Sequence, residues 1–267
     1  ICGAAESLLI NESLYDQTLE ILKPLINANS SIPTGPTITE NTGSKAQNRT
    51  YQDLLKNPND VENFKQLTRS ELLIVDLDGN QKKWLPSRMY KSIQLSPDKK
   101  YVLIDFIKTP FSYIVPYNRF PTETHVYDTD ANLIKVINDA PLLEELPKGF
   151  MSTTKGKRNF RWRSDKPSTL SFSIALDGGD PLKKVDYRDA LYQWEAPFNY
   201  PPKFLTKVKN RINAIYWGND KTAIIMDLWW NNRNTKTYVF NPSNSKIKAK
   251  IINDRNYQDT YLSLIHI

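Results

Sequence analysis

Residues that could perform catalysis or bind a metal are scarce in this chain of 267 residues. Cys2 is its one cysteine, and His125 and His266 are its two histidines, so an internal disulfide and a Cys/His zinc cluster are both excluded. Its nine glycines form no Gly-x-Ser-x-Gly nucleophile elbow and no glycine-rich phosphate loop. His125 falls in an expected strand, which favours a structural role. The sequence therefore predicts no catalytic residue, no metal and no cofactor.

Two segments hold more aromatic residues than connections between strands require. Residues 109–121 combine four aromatic residues with three prolines, and residues 227–233 place two adjacent tryptophans beside an arginine. Rigid aromatic loops can fill gaps between packed sheets. They can also line a ligand-facing surface, because loops on a rigid scaffold commonly carry recognition. Under the second interpretation, Tyr113, Trp229 and Trp230 would face a ligand.

The charge and hydropathy patterns favour neither nucleic acid nor membrane as a partner. The chain has 36 basic and 29 acidic residues, a net charge of +7. A basic excess can attract nucleic acid, but here the two signs are interspersed and no dense basic block occurs. A membrane-spanning helix needs roughly 18 apolar residues in succession, and no run approaches that length.

A strand–turn–strand unit recurs along most of the chain and must position these residues. In each copy an apolar strand enters a tight polar turn, marked by Asp98, Asp165 and Asp220, and returns as a second apolar strand. Aspartate suits such a turn because its carboxylate accepts hydrogen bonds from nearby backbone amides. Further hairpins follow, for example at 124–137 and 236–251. Four antiparallel strands per repeat are typical of β-propeller blades.

The sequence thus predicts an all-β fold, a partial β-propeller with a short helical insert. We expect about three four-stranded antiparallel blades, near residues 91–137, 158–207 and 210–252, plus half a blade. That half is the hairpin at 72–85, which would be the outer part of an earlier blade. A β-sandwich is the structural alternative, because hairpins alone do not prove radial closure.

The segments outside the blades are expected to differ from them. Residues 1–50 form an irregular segment and loop, residues 51–70 a helical insert, and residues 71–261 the partial propeller. Within the insert, Thr50 and Asp53 resemble a capping box, Pro58 would interrupt the helix, and Asp60 would cap a second short helix.

An ordered series of short motifs resembles the glutamyl endopeptidase-like branch of the prolyl oligopeptidase (S9) serine peptidase family. The matches cover about residues 33–261, and their order and spacing carry the resemblance because no single motif is decisive. They are Pro33-Thr-Gly-Pro36, Arg49-Thr-Tyr-Gln-Asp-Leu-Leu55, Ser96-Pro-Asp98, Pro110-Phe-Ser-Tyr113, Val115-Pro-Tyr117, Arg119-Phe-Pro121, Trp162-Arg163 with Asp165, Ala175-Leu-Asp-Gly-Gly-Asp-Pro181, Tyr187-Arg-Asp189 and Trp229-Trp230.

The resemblance implies that the chain is the middle to late part of an N-terminal propeller that gates substrate entry. The family's Ser, Asp and His lie in a C-terminal α/β-hydrolase domain, beyond residue 261, and the peptide substrate would be bound with that domain. A periplasmic or secreted location is also implied. Members cleave after Glu, which requires a cation near the substrate carboxylate. The candidate cations are Arg119, Arg161, Arg163 and Arg233.

Both ends of the chain depart from this pattern. The chain starts at Ile1 instead of Met, which indicates that its natural start lies upstream. Residues 262–267 leave the family pattern directly after Tyr261 and resemble a translated sequencing adapter, so we expect a non-native tail. The alternative function is that of a stand-alone β-propeller module for protein partners.

Overall fold

The structure is a computed structural model that describes residues 51–259. The predictions for residues 1–50 and for the tail at 262–267 lie outside the described residues. Helix α1 spans Pro58–Leu67. The strands are β1 (Arg69–Val75), β2 (Gln81–Leu95), β3 (Tyr101–Ile107), β4 (Thr122–Asp128), β5 (Leu133–Ala140), β6 (Lys157–Trp162), β7 (Thr169–Ala175), β8 (Asp189–Glu195), β9 (Lys203–Val208), β10 (Arg211–Trp217), β11 (Ala223–Trp229), β12 (Asn234–Phe240) and β13 (Lys250–Asn256).

The strands form three antiparallel sheets that follow one another along the chain. The first blade comprises the second half of β2 with β3, β4 and β5; the second comprises β6–β9, and the third β10–β13. Strand β2 is long because it serves two partners. Residues 81–89 pair with β1, and residues 90–95 pair with β3. The predicted three blades and the preceding hairpin are confirmed, with the hairpin joined to the first blade through β2.

The hydrophobic core lies between neighbouring blades. One cluster joins Leu103 and Val126 of the first blade to Phe172 of the second. Another joins Leu191 of the second blade to Ile225 of the third. The second blade is therefore covered on both faces, whereas each sheet of a two-sheet β-sandwich buries one face. This packing explains why β7 is apolar or buried along nearly its whole length.

Hydrogen bonds between the first and second blades reinforce this packing. The Trp162 indole N–H donates to the Gln94 carbonyl at 3.0 Å. The Asp98 N–H donates to the Pro167 carbonyl at 3.2 Å, and the Ser168 hydroxyl donates to Asp98 Oδ2 at 2.6 Å. The turn aspartate predicted from the sequence thus also joins two blades.

The helical insert is shorter than predicted and begins at a different residue. Residues 51–57 are not helical, so the expectation of a first helix there is wrong. The cap of α1 is Asn57, whose Oδ1 accepts from the Asp60 N–H at 2.9 Å, and not Asp60 itself. Pro58 starts the helix instead of interrupting it, because the first helical N–H has no intrahelical partner and proline lacks that donor. Within residues 51–259, no helix has the length and hydropathy needed to cross a membrane.

The alternation of antiparallel strands distributes the loops onto two opposite faces. One of them, which we call the upper face, carries the connection between the second and third strands of each blade. It also carries the first interblade connection. These upper-face segments are 108–121, 141–156, 176–188 and 230–233. The lower face carries the remaining turns of each blade. These are 96–100, 129–132, 163–168, 196–202, 218–222 and 241–249.

Candidate recognition surface

Two aromatic rings and a guanidinium stack together in solvent on the upper face. The Phe150 and Trp230 rings lie 5.4 Å apart with an interplanar angle of 31°, and the Arg233 guanidinium lies 3.8 Å from the Trp230 ring centroid. Phe150 is 63% exposed and Trp230 40% exposed. A single exposed apolar side chain needs no explanation, but exposed apolar side chains that lie next to one another and to a cation are typical of interaction sites. The Phe150–Trp230–Arg233 stack offers flat apolar contact and positive charge to the same ligand.

The turn between β11 and β12 fixes the arginine of this stack. Arg233 adopts a left-handed backbone conformation, with φ at 56°. Its backbone N–H and its Nη1 both donate to the Trp230 carbonyl, at 3.3 and 2.8 Å, and its own carbonyl accepts from the Tyr257 N–H at 2.8 Å. Among the described residues, Nε and Nη2 of Arg233 form no hydrogen bond, so that edge of the guanidinium is available to a carboxylate.

The first interblade connection carries Phe150 across the second blade to the third. The Thr153 N–H donates to the Gly179 carbonyl at 3.0 Å, and Arg211 Nε donates to the Met151 carbonyl at 3.1 Å. At Gly179, where φ is +83°, a Cβ would lie 1.9 Å from the Thr153 carbonyl oxygen. Only glycine allows this close approach, which keeps residue 150 beside Trp230.

A buried ion network supports the same face from below. Asp177 accepts from Arg188 Nη1 at 2.9 Å and from Arg211 Nη2 at 2.7 Å. Asp189 accepts from Arg211 Nη1 at 2.9 Å and also pairs with Arg158. Three guanidinium groups thus meet two carboxylates, which leaves one positive charge in excess. Such a network is stable only when every charge keeps its partner, because a buried unpaired charge is costly.

Five of the predicted substrate-facing residues lie on the upper face or next to it. Trp230 and Arg233 belong to the stack described above. Trp229, by contrast, is only 8% exposed and lies under the Arg188 guanidinium, which is 3.9 Å from its ring centroid. Tyr113 is partly exposed in the connection between β3 and β4.

The other predicted arginines are not part of the stack, although Arg119 also lies in an upper-face segment. Arg119 is half-buried in the same connection as Tyr113, with its guanidinium 5.3 Å from the Tyr51 ring. Arg161 is exposed on β6. Arg163 lies on the lower face, is 1% exposed and forms a bidentate ion pair with Asp165. The structure therefore groups Trp229, Trp230 and Arg233 and separates Arg163 from them.

Neither Phe150 nor most of the ion network is predictable from the sequence alone. Phe150 lies in a connection without repeating pattern, and only the tertiary structure brings it to Trp230. Asp177 was visible only as part of a glycine turn, although its position directly before Gly178 and Gly179 marks it. Its Oδ1 accepts from the Gly179 N–H at 2.9 Å, an Asx-type turn.

His125 has structural contacts on both ring nitrogens. Its Nε2 lies 3.1 Å from Glu123 Oε2, and its Nδ1 lies 3.2 Å from the Tyr127 hydroxyl. Because a carboxylate only accepts, Nε2 carries the proton and Nδ1 accepts from Tyr127. Burial lowers the pKa of His125 below its ordinary value of 6.5, although Glu123 opposes this effect, and the nearby Arg88 and Lys108 cations favour it.

The free energy of unfolding is expected to fall as pH decreases below the ordinary histidine pKa. The unfolded chain then takes up a proton at His125 that the folded chain, with its lowered pKa, accepts only at lower pH. Urea unfolding followed by tryptophan fluorescence between about pH 7 and 5 measures this slope. In His125→Gln the slope should be smaller, and equal slopes in the two proteins would contradict the assignment.

Packed antiparallel blades of this kind define a β-propeller fold, and one of its loop faces is exposed and partly cationic. No protein-family model matches the chain. Over 254 residues it is 36% identical to a rice protein (Oryza sativa subsp. japonica) named "Probable glutamyl endopeptidase, chloroplastic". It is also 36% identical over 233 residues to an Arabidopsis thaliana protein of the same name. These alignments cover 94% and 86% of this chain, but 27% and 24% of the relatives.

The chain is thus similar over nearly its whole length to proteins named as glutamyl endopeptidases, which confirms the resemblance predicted from its ordered motifs. It spans about a quarter of the length of the curated relatives it matches. Among solved structures, it is similar to the β-propeller domain of the Trilobed protease from Pyrococcus furiosus. That similarity has a TM-score of 0.40 and 14% identity, and it covers 70% of this chain and 50% of that chain.

Proposed function

We propose that this chain is the substrate-gating propeller segment of a serine-type endopeptidase that cleaves after Glu. The catalytic α/β-hydrolase domain would be supplied by polypeptide outside these residues. The propeller would admit extended peptides, exclude folded proteins and help to orient the substrate. The observation that carries the proposal is 36% identity to a protein named as a glutamyl endopeptidase across 94% of the chain.

The Phe150–Trp230–Arg233 stack is the proposed point of peptide contact. Its exposed rings offer apolar surface to a peptide main chain or side chain, and aromatic residues with arginine are enriched at binding hot spots. The free edge of Arg233 supplies a cation for an acidic side chain. Of the four arginines predicted from the sequence, Arg119 and Arg161 remain candidates beside it, whereas Arg163 already has Asp165 as its counterion.

Arg233→Ala in the complete peptidase is expected to reduce the preference for Glu over Gln in otherwise identical peptides. The loss of one charge-assisted hydrogen bond predicts a decrease of about tenfold in the ratio of the two kcat/KM values. Initial rates with matched fluorogenic Glu and Gln peptides measure this ratio. Arg119→Ala and Arg161→Ala are measured in parallel.

The control is Lys221→Ala, because Lys221 is an exposed cation on the lower face, in the turn between β10 and β11. It should leave the Glu/Gln ratio unchanged. If Arg119, Arg161, Arg163 and Arg233 can each be replaced by alanine without loss of Glu preference, the proposed role of the propeller in selecting Glu is wrong. Absence of any peptidase activity in the complete polypeptide would overturn the broader proposal.

A further inference from the structure

A polar cleft of about 510 Å³ opens on the lower face between the second and third blades. It lies at the opposite end of the blades from the Phe150–Trp230–Arg233 stack and is built from different residues. The first turn of the second blade and the ends of β8 and β9 form one wall, and the turn between β12 and β13 forms the other. A volume of this size accommodates a small-molecule ligand.

A buried arginine sets the orientation of a glutamine side chain in this cleft. Arg163 is 1% exposed, and its Nε and Nη2 donate to the two oxygens of Asp165, at 3.0 and 2.6 Å. Its Nη1 donates to Gln193 Oε1. A guanidinium has donors only, so the Gln193 carbonyl must face it and the amide NH₂ must point away. Among the described residues that NH₂ group has no acceptor, and Gln193 lines the cleft.

The remaining polar lining is rich in hydrogen-bond donors. Lys166 and Lys203 both line the cleft, and within residues 51–259 neither forms an ion pair. Thr169 and Ser245 contribute hydroxyl groups. Glu195 is the one acidic residue of the lining, so the two lysines leave a positive excess after Arg163 is neutralised by Asp165.

We propose that this interblade cleft binds a small oxyanion, a carboxylate or phosphate group, between the Gln193 amide and the ammonium groups of Lys166 and Lys203. Charge-assisted hydrogen bonds from lysine and from an amide N–H are the interactions that such groups form in proteins. The apolar wall contributed by Phe204 and Leu205 would take a short hydrocarbon portion of an organic anion. The site does not depend on peptidase activity or on the upper face.

Calorimetric titration of the protein with inorganic phosphate and, separately, with succinate at low ionic strength tests this proposal. We expect saturable binding of one anion per chain. Gln193→Glu should weaken it by at least about tenfold, because an acceptor and a negative charge replace the amide donor. This substitution keeps an oxygen for Arg163, so the fold should persist, and a thermal unfolding curve verifies that it does.

Lys203→Ala provides a second test if Gln193→Glu does not fold, and it too should weaken binding. Lys221→Ala removes a lysine of the same face that does not line the cleft, and it should leave the affinity unchanged. Saturation by phosphate alone or by succinate alone would support the site and identify the source of the oxyanion. Failure of both anions to saturate, or equal affinity in Gln193→Glu and the unsubstituted protein, would overturn the proposal.

Discussion

Asp189→Ala is expected to destabilise the protein by about 3–5 kcal/mol. The Asp189 side chain is fully buried and accepts from Arg158 and Arg211. Its Oδ2 also accepts from the Ile212 N–H at 2.9 Å. Alanine would leave the Arg158 guanidinium without a carboxylate, and Arg211 would keep only Asp177, which it shares with Arg188. The cost therefore comes mainly from unpaired buried charge and only secondarily from lost packing.

The change in unfolding free energy is measured by urea unfolding followed by tryptophan fluorescence. Glu71→Ala is the matched control, because it removes a carboxylate from an exposed ion pair with Lys83. Exposed pairs contribute roughly 0–1 kcal/mol, so the control should be nearly as stable as the unsubstituted protein. Similar losses in Asp189→Ala and Glu71→Ala would show that the network does not stabilise the blades.

Gly179→Ala is expected to destabilise the protein by roughly 2–4 kcal/mol, through strain in the left-handed conformation and overpacking. A Cβ at this position would lie 1.9 Å from the Thr153 oxygen and 2.9 Å from the Thr153 carbon, both backbone atoms. Backbone cannot rotate aside as a side-chain end can, so residues 149–154 must shift. Phe150 lies in that segment, and its contact with Trp230 should weaken as well.

A substitution at the adjacent Gly178 distinguishes strain in the left-handed conformation from overpacking against Thr153. Gly178 also has a positive φ, at +69°, but a Cβ there would meet no atom within 4 Å. Gly178→Ala should therefore show only the conformational cost, about 1–2 kcal/mol. Urea unfolding of both variants gives the difference. Equal destabilisation would mean that the close approach of Thr153 contributes nothing.

Asp189 and Gly179, the residues of these two predictions, both help to hold the loops of the proposed recognition surface in place. The ion network joins β6, the connection 176–188 and the start of β10, and Arg211 extends it to the Met151 carbonyl. The connection that carries Phe150 is thus held by the same residues that join the second and third blades. In the proposed peptidase, Gly179→Ala should weaken peptide binding even though residue 179 does not contact the ligand.

Much of the architecture was predictable because its signals are local in sequence. Alternating apolar residues, with turn residues between them, specify hairpins, and three similar units specify three blades. The helical insert was only partly predictable. Pro58 was interpreted as an interruption, whereas Asn57 caps a helix that starts at the proline. Whether a proline begins or breaks a helix depends on whether a capping residue precedes it. Asn57 and Asp60 are both suitable caps, and the sequence does not show which of them is used.

Sequence by itself determined the fold class, the family resemblance and the aromatic character of residues 227–233, because these depend on periodicity, order and composition. Only the tertiary structure decided which candidates can meet a ligand. It buried Trp229 under Arg188, paired Arg163 with Asp165, and placed Phe150 beside Trp230. The physical reason is that burial and charge pairing depend on contacts between blades, which join residues far apart in the chain and leave no periodic pattern along it.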